Sequence, residues 1–171
     1  MDQKELVARC KKGESGALNV LYQENNRKIY AMALRMTGSQ ADADDVVQDT
    51  FIRAFKYIKK FRGDSSVSTW LCRIAINLTR DLAKKQKRIK PEIEVDVAAP
   101  ARDIMAQKKL EQALGVLPEG FREVLVMHDV VGMGHGEIAT VLGVKEGTSK
   151  SQLHKARARM REILTGKKGK S

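Results

Sequence analysis

The sequence predicts an all-α protein of two small helical domains joined by a flexible linker. Three observations predict it. Apolar residues recur at helical spacing over long stretches, without a strong run of alternating apolar and polar residues. Aromatic residues, which favour sheets, make up only 5% of the chain. The segment from Pro91 to Arg102, which also holds Pro100, interrupts the periodicity. The 171 residues suffice for one ordinary domain or two small ones. The break favours two, over residues 1–90 and 103–171, with 91–102 as the linker.

Glycine-centred breaks divide each block further. Gly13, Thr37-Gly38-Ser39 and Arg62-Gly63-Asp64-Ser65-Ser66 separate four expected helices over residues 2–12, 15–36, 40–61 and 67–88. The second block is expected to hold helices over 103–116, 119–131, 135–142 and 146–164. The third helix opens on Ser39 as N-cap, with Asp42 three residues later in a variant capping box. Its apolar stripe is Val47, Phe51, Ala54, Phe55 and Ile58. Asp45, Gln48, Asp49 and Ile52 share another face, either a solvated surface or a docking surface for a basic partner helix.

On the fourth helix, Val67, Trp70, Leu71, Ile74, Leu78 and Leu82 fall within about 120° of one another at 100° per residue, the expected core face. Arg73, Asn77, Arg80, Lys84 and Lys87 cluster about 130° away. That stripe is either a solvated basic face or a track for a phosphate backbone, with Asn77 able to reach a base edge. Ile76 is apolar but lies outside the expected core sector.

Lys and Arg number 32 against 21 Asp and Glu, a formal charge of +11, so a polyanion is the expected partner. Residues 1–90 hold 19 basic and 10 acidic side chains, and residues 115–171 hold 10 and 6, while residues 91–114 hold 3 and 5. Two basic blocks thus flank an acidic connector. No stretch approaches the roughly 18 apolar residues of a membrane span, so no membrane insertion is expected. The first ten residues lack a signal-peptide core, so a cytoplasmic protein is expected. Cys10 and Cys72 are isolated, and His128, His135 and His154 are scattered, so neither a disulfide framework nor a metal site nor any cofactor is expected.

Residues Gly134 to Val144, followed by Lys145 to Ser151, have the order of a helix-turn-helix: short helix, glycine turn, long helix. Ala139 allows a close crossing, Gly143 can take the positive φ of a tight turn, and Ile138, Leu142 and Val144 supply the shared core. In the second helix Leu153, Ala156, Met160, Ile163 and Leu164 form one sector, opposite Lys150, Ser151, His154, Lys155 and Arg161. This is the division expected of a recognition helix. Thr148 and Ser149 are placed to meet a phosphate near the helix start, although capping explains Thr148 equally well. Arg157 lies close to the apolar sector, between bracing the domain and joining the DNA-facing set.

These stretches resemble the extracytoplasmic-function (ECF) sigma factors over nearly the whole chain. The resemblance is carried by Asp45-Val46-Val47-Gln48-Asp49-Thr50-Phe51-Ile52-Arg53-Ala54-Phe55, by Phe61-Arg62-Gly63-Asp64-Ser65 leading to Thr69-Trp70-Leu71-Cys72-Arg73-Ile74-Ala75-Ile76-Asn77, and by Leu117-Pro118-Glu119-Gly120-Phe121-Arg122-Glu123-Val124 before the helix-turn-helix. It implies a region-two domain whose Asp45, Gln48, Asp49 and Ile52 dock on core RNA polymerase. It implies that Phe61, Arg62, Ser65, Arg73, Asn77, Arg80 and Lys84 bind the minus-ten promoter element, with the loop from Phe61 to Ser68 helping to capture a flipped-out base. Phe61 is the aromatic expected to touch a base, and Trp70 a core residue. The second block then resembles region four, whose Thr148, Lys150, Ser151, His154, Lys155 and Arg157 read minus-thirty-five duplex DNA. An anti-sigma factor is an implied partner, and no catalysis is implied.

Four positions depart from the commoner family pattern. Ser149 stands where an apolar residue is usual, Gln152 where an arginine is usual, and Gly134 and Gly136 flank His135 where Ser and Glu are frequent. The promoter sequence read therefore does not carry over from relatives. A stand-alone helix-turn-helix regulator is the alternative reading. A nucleic-acid enzyme is disfavoured by the lack of a phosphate-binding loop and of a metal-binding carboxylate set.

Overall fold

The computed structural model describes residues 2–89 and 104–166. Among these the regular structure is entirely helical: α1 Gln3–Lys11, α2 Ser15–Thr37, α3 Gln40–Tyr57 with a 3₁₀ turn Ile58–Lys60, α4 Val67–Ile89, α5 Ile104–Gly115, α6 Glu119–Leu125 continuing as a π turn Val126–Val130, α7 His135–Leu142 and α8 Glu146–Thr165. The chain separates into two compact units, the first holding α1, α2, α4 and α3 from Ala41 onward, the second α5 to α8. The expected linker, 91–102, lies outside the described residues. No described helix is long and apolar enough to cross a membrane.

In the first unit Asp2 caps α1 by accepting the Glu5 amide at 2.7 Å, and Gly13 ends it at a φ of +79°. Leu6, Val7 and Cys10 face inward toward α2. Helix α2 buries Ala17, Leu21, Asn25, Ile29 and Met32, every fourth position with one step of three, which is one face of a 3.6-residue helix. Asn25 is tolerated there because its amide donates to the Leu21 carbonyl at 2.9 Å. Tyr22 meets Phe51 of α3 edge to face, 4.7 Å between ring centres.

Helix α4 departs from its expected face. The buried residues are Val67, Leu71, Cys72, Ala75, Ile76, Leu78 and Thr79, a sector of about 180°, while Trp70, Ile74 and Leu82 are only half-buried. The reason is that α4 has neighbours on two sides: it packs on α2, where Thr79 reaches Met36 Sδ at 3.6 Å, and its Gln86 donates to Asp42 of α3 at 3.0 Å. Ile76, which a single-face reading leaves outside the core, is fully buried.

In the second unit α5, α6 and α7 all pack on α8. Leu114, Leu117, Val124, Val126, Ile138, Leu153 and Met160 are among its core residues. Gly143 takes φ +68° at the turn between α7 and α8, as the helix-turn-helix reading requires. The expected helix 119–131 holds an irregularity the periodicity did not show: Val131 N bonds to Val126 O at 3.0 Å, a π-type step. Leu164, expected in the apolar sector of α8, is 45% exposed.

Candidate nucleic-acid and protein interfaces

Asp45, Gln48, Asp49 and Ile52 project from one exposed face of α3. Ile52 is 56% exposed, a branched aliphatic side chain left in water amid carboxylates. That combination gives a partner both charge and an apolar anchor.

The wider core sector of α4 sharpens the geometry of its basic stripe. Arg73, Asn77, Arg80 and Lys84 centre about 160° from the buried sector, nearly opposite it. Asn77 and Lys84 are exposed, Arg73 and Arg80 half-buried. The Lys87 side chain lies outside the described residues.

At the start of α4, Ser66 Oγ accepts the Thr69 amide at 3.0 Å and caps the helix. The loop before it exposes Arg62, whose Nε donates to Asp64 Oδ2 at 3.2 Å, while Ser65 is half-buried. The aromatic roles differ from expectation. Phe61 is 7% exposed and packs against Trp70, 5.2 Å between ring centres, so its ring is not offered to a base in this conformation. Trp70 is the more accessible of the two. Phe61 instead anchors the loop through its carbonyl, which accepts from Lys11 Nζ at 2.7 Å.

A cleft of about 370 Å³ opens between α1 and this loop, lined by Gln3, Lys4, Lys11, Phe61, Arg62 and Gly63 among others. Three cations and no carboxylate line it, and the two from α1 were missed by sequence reasoning because α1 alone shows no basic stripe. Tyr57, 42% exposed with Lys56 and Lys60 ammonium groups 5.6 and 5.4 Å from its ring centre, adds to the basic rim of the α3 end.

In the second unit Thr148, Lys150, Ser151, His154 and Lys155 are all exposed on α8. Helix α8 starts at Glu146 with Lys145 as N-cap, so Thr148 is the third residue of the helix and does not cap it. Lys150 pairs with Glu146 at 2.7 Å across one turn, and the Ser151 hydroxyl donates to the Thr148 carbonyl at 3.1 Å. Of the two readings of Arg157, the geometry favours bracing. Its guanidinium grips both Asp129 oxygens, Nη2 to Oδ1 at 2.5 Å and Nε to Oδ2 at 3.1 Å, so it braces the domain. Chiefly through that bond, and also through His128, the Asp129 carboxyl is held below its ordinary pKa.

Two helical units, one carrying a basic stripe opposite its core and the other an exposed recognition-type helix, define a modular DNA-reading protein. Comparison with known proteins gives the family. Residues 21–89 match the family Sigma-70 region 2, and residues 107–160 match Sigma-70, region 4. The chain is 31% identical over 170 residues to the ECF RNA polymerase sigma-E factor of Escherichia coli strain K12, covering 89% of this chain and 88% of that protein. It is 34% identical over 155 residues to the ECF RNA polymerase sigma factor SigE of Mycolicibacterium smegmatis, covering 84% of this chain and 60% of that protein. It is also similar to the solved structure of CnrH in complex with the cytosolic domain of CnrY, with a TM-score of 0.73 and 28% identity over 96% of this chain and 97% of that one. The chain belongs to the ECF sigma factors, which are transcription initiation factors of bacterial RNA polymerase.

Proposed function

We propose that the two units divide promoter recognition between them, residues 1–90 docking on core RNA polymerase and holding the minus-ten element, residues 103–171 reading the minus-thirty-five element. The observation that carries this is the pair of basic surfaces, one per unit: α4 turns its cations nearly opposite its core, and α8 turns Lys150, His154 and Lys155 away from Leu153, Ala156 and Met160. Phosphate contacts from such surfaces position the protein, and Asn77, Ser151 and His154 carry the polar groups able to read bases.

The exposed face of Asp45, Gln48, Asp49 and Ile52 takes a basic helix of the polymerase. Single-stranded minus-ten DNA runs along Arg73, Asn77, Arg80 and Lys84 and past Arg62 and Ser65. The loop holds one unstacked base, with Trp70 taking the stacking role first expected of Phe61. Two weak contacts on one chain combine because each raises the local concentration for the other. The chain works in the cytoplasm, catalyses no reaction itself, and is held in check by an anti-sigma factor, as its family resemblance implies.

The test is run-off transcription with core polymerase on genomic promoter fragments. Transcripts from a defined set of start sites are expected, and D45K/D49K is expected to abolish both polymerase association and transcription. Unchanged association in that variant would overturn the docking assignment. Tight, specific duplex binding without polymerase would favour a stand-alone helix-turn-helix regulator instead, and magnesium-dependent cleavage of DNA by the pure chain would overturn the non-catalytic reading.

A further inference from the structure

Ser149 lies in the first turn of recognition helix α8 and is fully buried. A hydroxyl in that position is costly unless it is hydrogen-bonded. Its partner is His135, the first residue of α7, whose Nδ1 lies 2.9 Å from Ser149 Oγ. The other face of the contact is also occupied: the His135 ring stacks on His128 of the π turn, 4.9 Å between centres and 26° between planes. His128 Nδ1 donates to Asp129 Oδ1 at 2.7 Å, since an ionised carboxylate can only accept. Asp129 in turn grips Arg157, eight positions beyond Ser149 on α8.

One connected set of side chains therefore ties α8 at two points about 12 Å apart along its axis. Apolar contacts such as those of Ile138 and Leu153 keep helices together but have little angular preference. Hydrogen bonds do have one. A rotation of α8 by about 15° would move its side-chain ends by about 1.5 Å, enough to break a base contact.

We propose that His135 and Ser149 are positioning residues for duplex reading: their bond, continued through His128 and the Asp129–Arg157 pair, fixes the rotation of α8 and so sets which base edges Lys150, Ser151 and His154 reach. This rests on the assignment of α8 as the duplex-reading helix. Neither residue touches DNA itself in this role.

The experiment uses the full chain assembled with core RNA polymerase and a duplex that this complex selects from a randomised library, with a scrambled duplex of equal length as control. The readout is the ratio of the two affinities at fixed salt. H135A and S149A are each expected to lower that ratio about tenfold, and the double variant no further than either single one, because both remove the same tie. H135N, whose amide can meet Ser149 Oγ, is expected to restore the ratio to within about twofold. S149V fills the site without the bond, and is expected to keep the thermal midpoint while losing the ratio. Multiplying effects in the double variant, or an unchanged ratio in S149V and S149A, would overturn the proposal. Equal loss on both duplexes would show a folding defect rather than positioning and would overturn it too. Failure of the wild-type complex with polymerase to select any duplex would instead sink the DNA-reading assignment beneath it.

Discussion

Arg122 shows how one side chain holds two helices in register. From α6 its Nε donates to the Leu114 carbonyl at 2.8 Å, and its Nη2 donates to the carbonyls of Gly115 and Leu117 at 2.9 and 3.1 Å. These are carbonyls at and just beyond the end of α5, where the helix dipole favours a cation. Burial pushes the guanidinium pKa down, yet an arginine stays charged across the working range. Arg122→Ala is expected to cost about 2 kcal/mol in urea unfolding, and Arg122→Lys to recover only part of it, since an ammonium cannot span three carbonyls from one fixed fork. Asp129 gives a pH signature. Its carboxyl is depressed below the ordinary value of about 3.9. The stabilisation it confers is therefore full above that ordinary value and fades as pH falls through the depressed one. A thermal melt series in acid should show D129N less stable than wild type at neutral pH, with the difference closing toward the lowest pH. Cys72 lies at the other extreme, fully buried with its thiol pKa raised by that burial. It should resist alkylation at neutral pH until the chain is unfolded, as mass spectrometry of the labelled protein would show.

At the scale of elements, periodicity together with glycine-centred breaks located every described helix to within a few residues, because each has an apolar face that registers at 3.6 residues per turn. What it could not show depends on neighbours. The core sector of α4 is wider than expected because two helices flank it, so Ile76 is buried where a one-sided reading excludes it. Phe61 and Trp70 differ from expectation for the same reason, since which ring is covered depends on how the loop folds back on α1 through Lys11. The π turn and the His135–Ser149 bond are likewise invisible in a linear reading: one is a shift of backbone register, the other joins side chains from two helices. Among the proposed DNA contacts, α8 was legible in its exposed face but not in the commitment of Arg157 to Asp129. The distinction is measurable. On a duplex, Lys150→Gln and Lys155→Gln should each reduce the slope of log K against log salt by about 0.9, one released counterion apiece. Arg157→Gln should leave that slope unchanged while lowering the thermal midpoint. A slope change in Arg157→Gln equal to that of the lysines would return Arg157 to the DNA-contacting set.

For the whole molecule, the charge distribution and the two-unit architecture make one argument. The N-terminal 90 residues carry nine more basic than acidic side chains and residues 115–171 four more, so each block is drawn to the same polyanion on its own. A sigma factor that bound tightly through either alone would be trapped on non-specific DNA, because phosphate contacts carry no sequence information. Under the proposed division, weak binding by each, combined on one chain, lets a promoter bearing both elements outcompete DNA bearing one. Residues 91–102, read from the sequence as a flexible tether, would set the strength of that coupling. Doubling this segment with a Gly/Ser insert is expected to lower holoenzyme affinity for a promoter with both elements about threefold, from the fall of effective concentration with the three-halves power of tether length. Affinity for a promoter fragment with either element alone should not change. Equal affinity for the two-element promoter before and after the insertion would mean that the polymerase, rather than the tether, holds the two units in place.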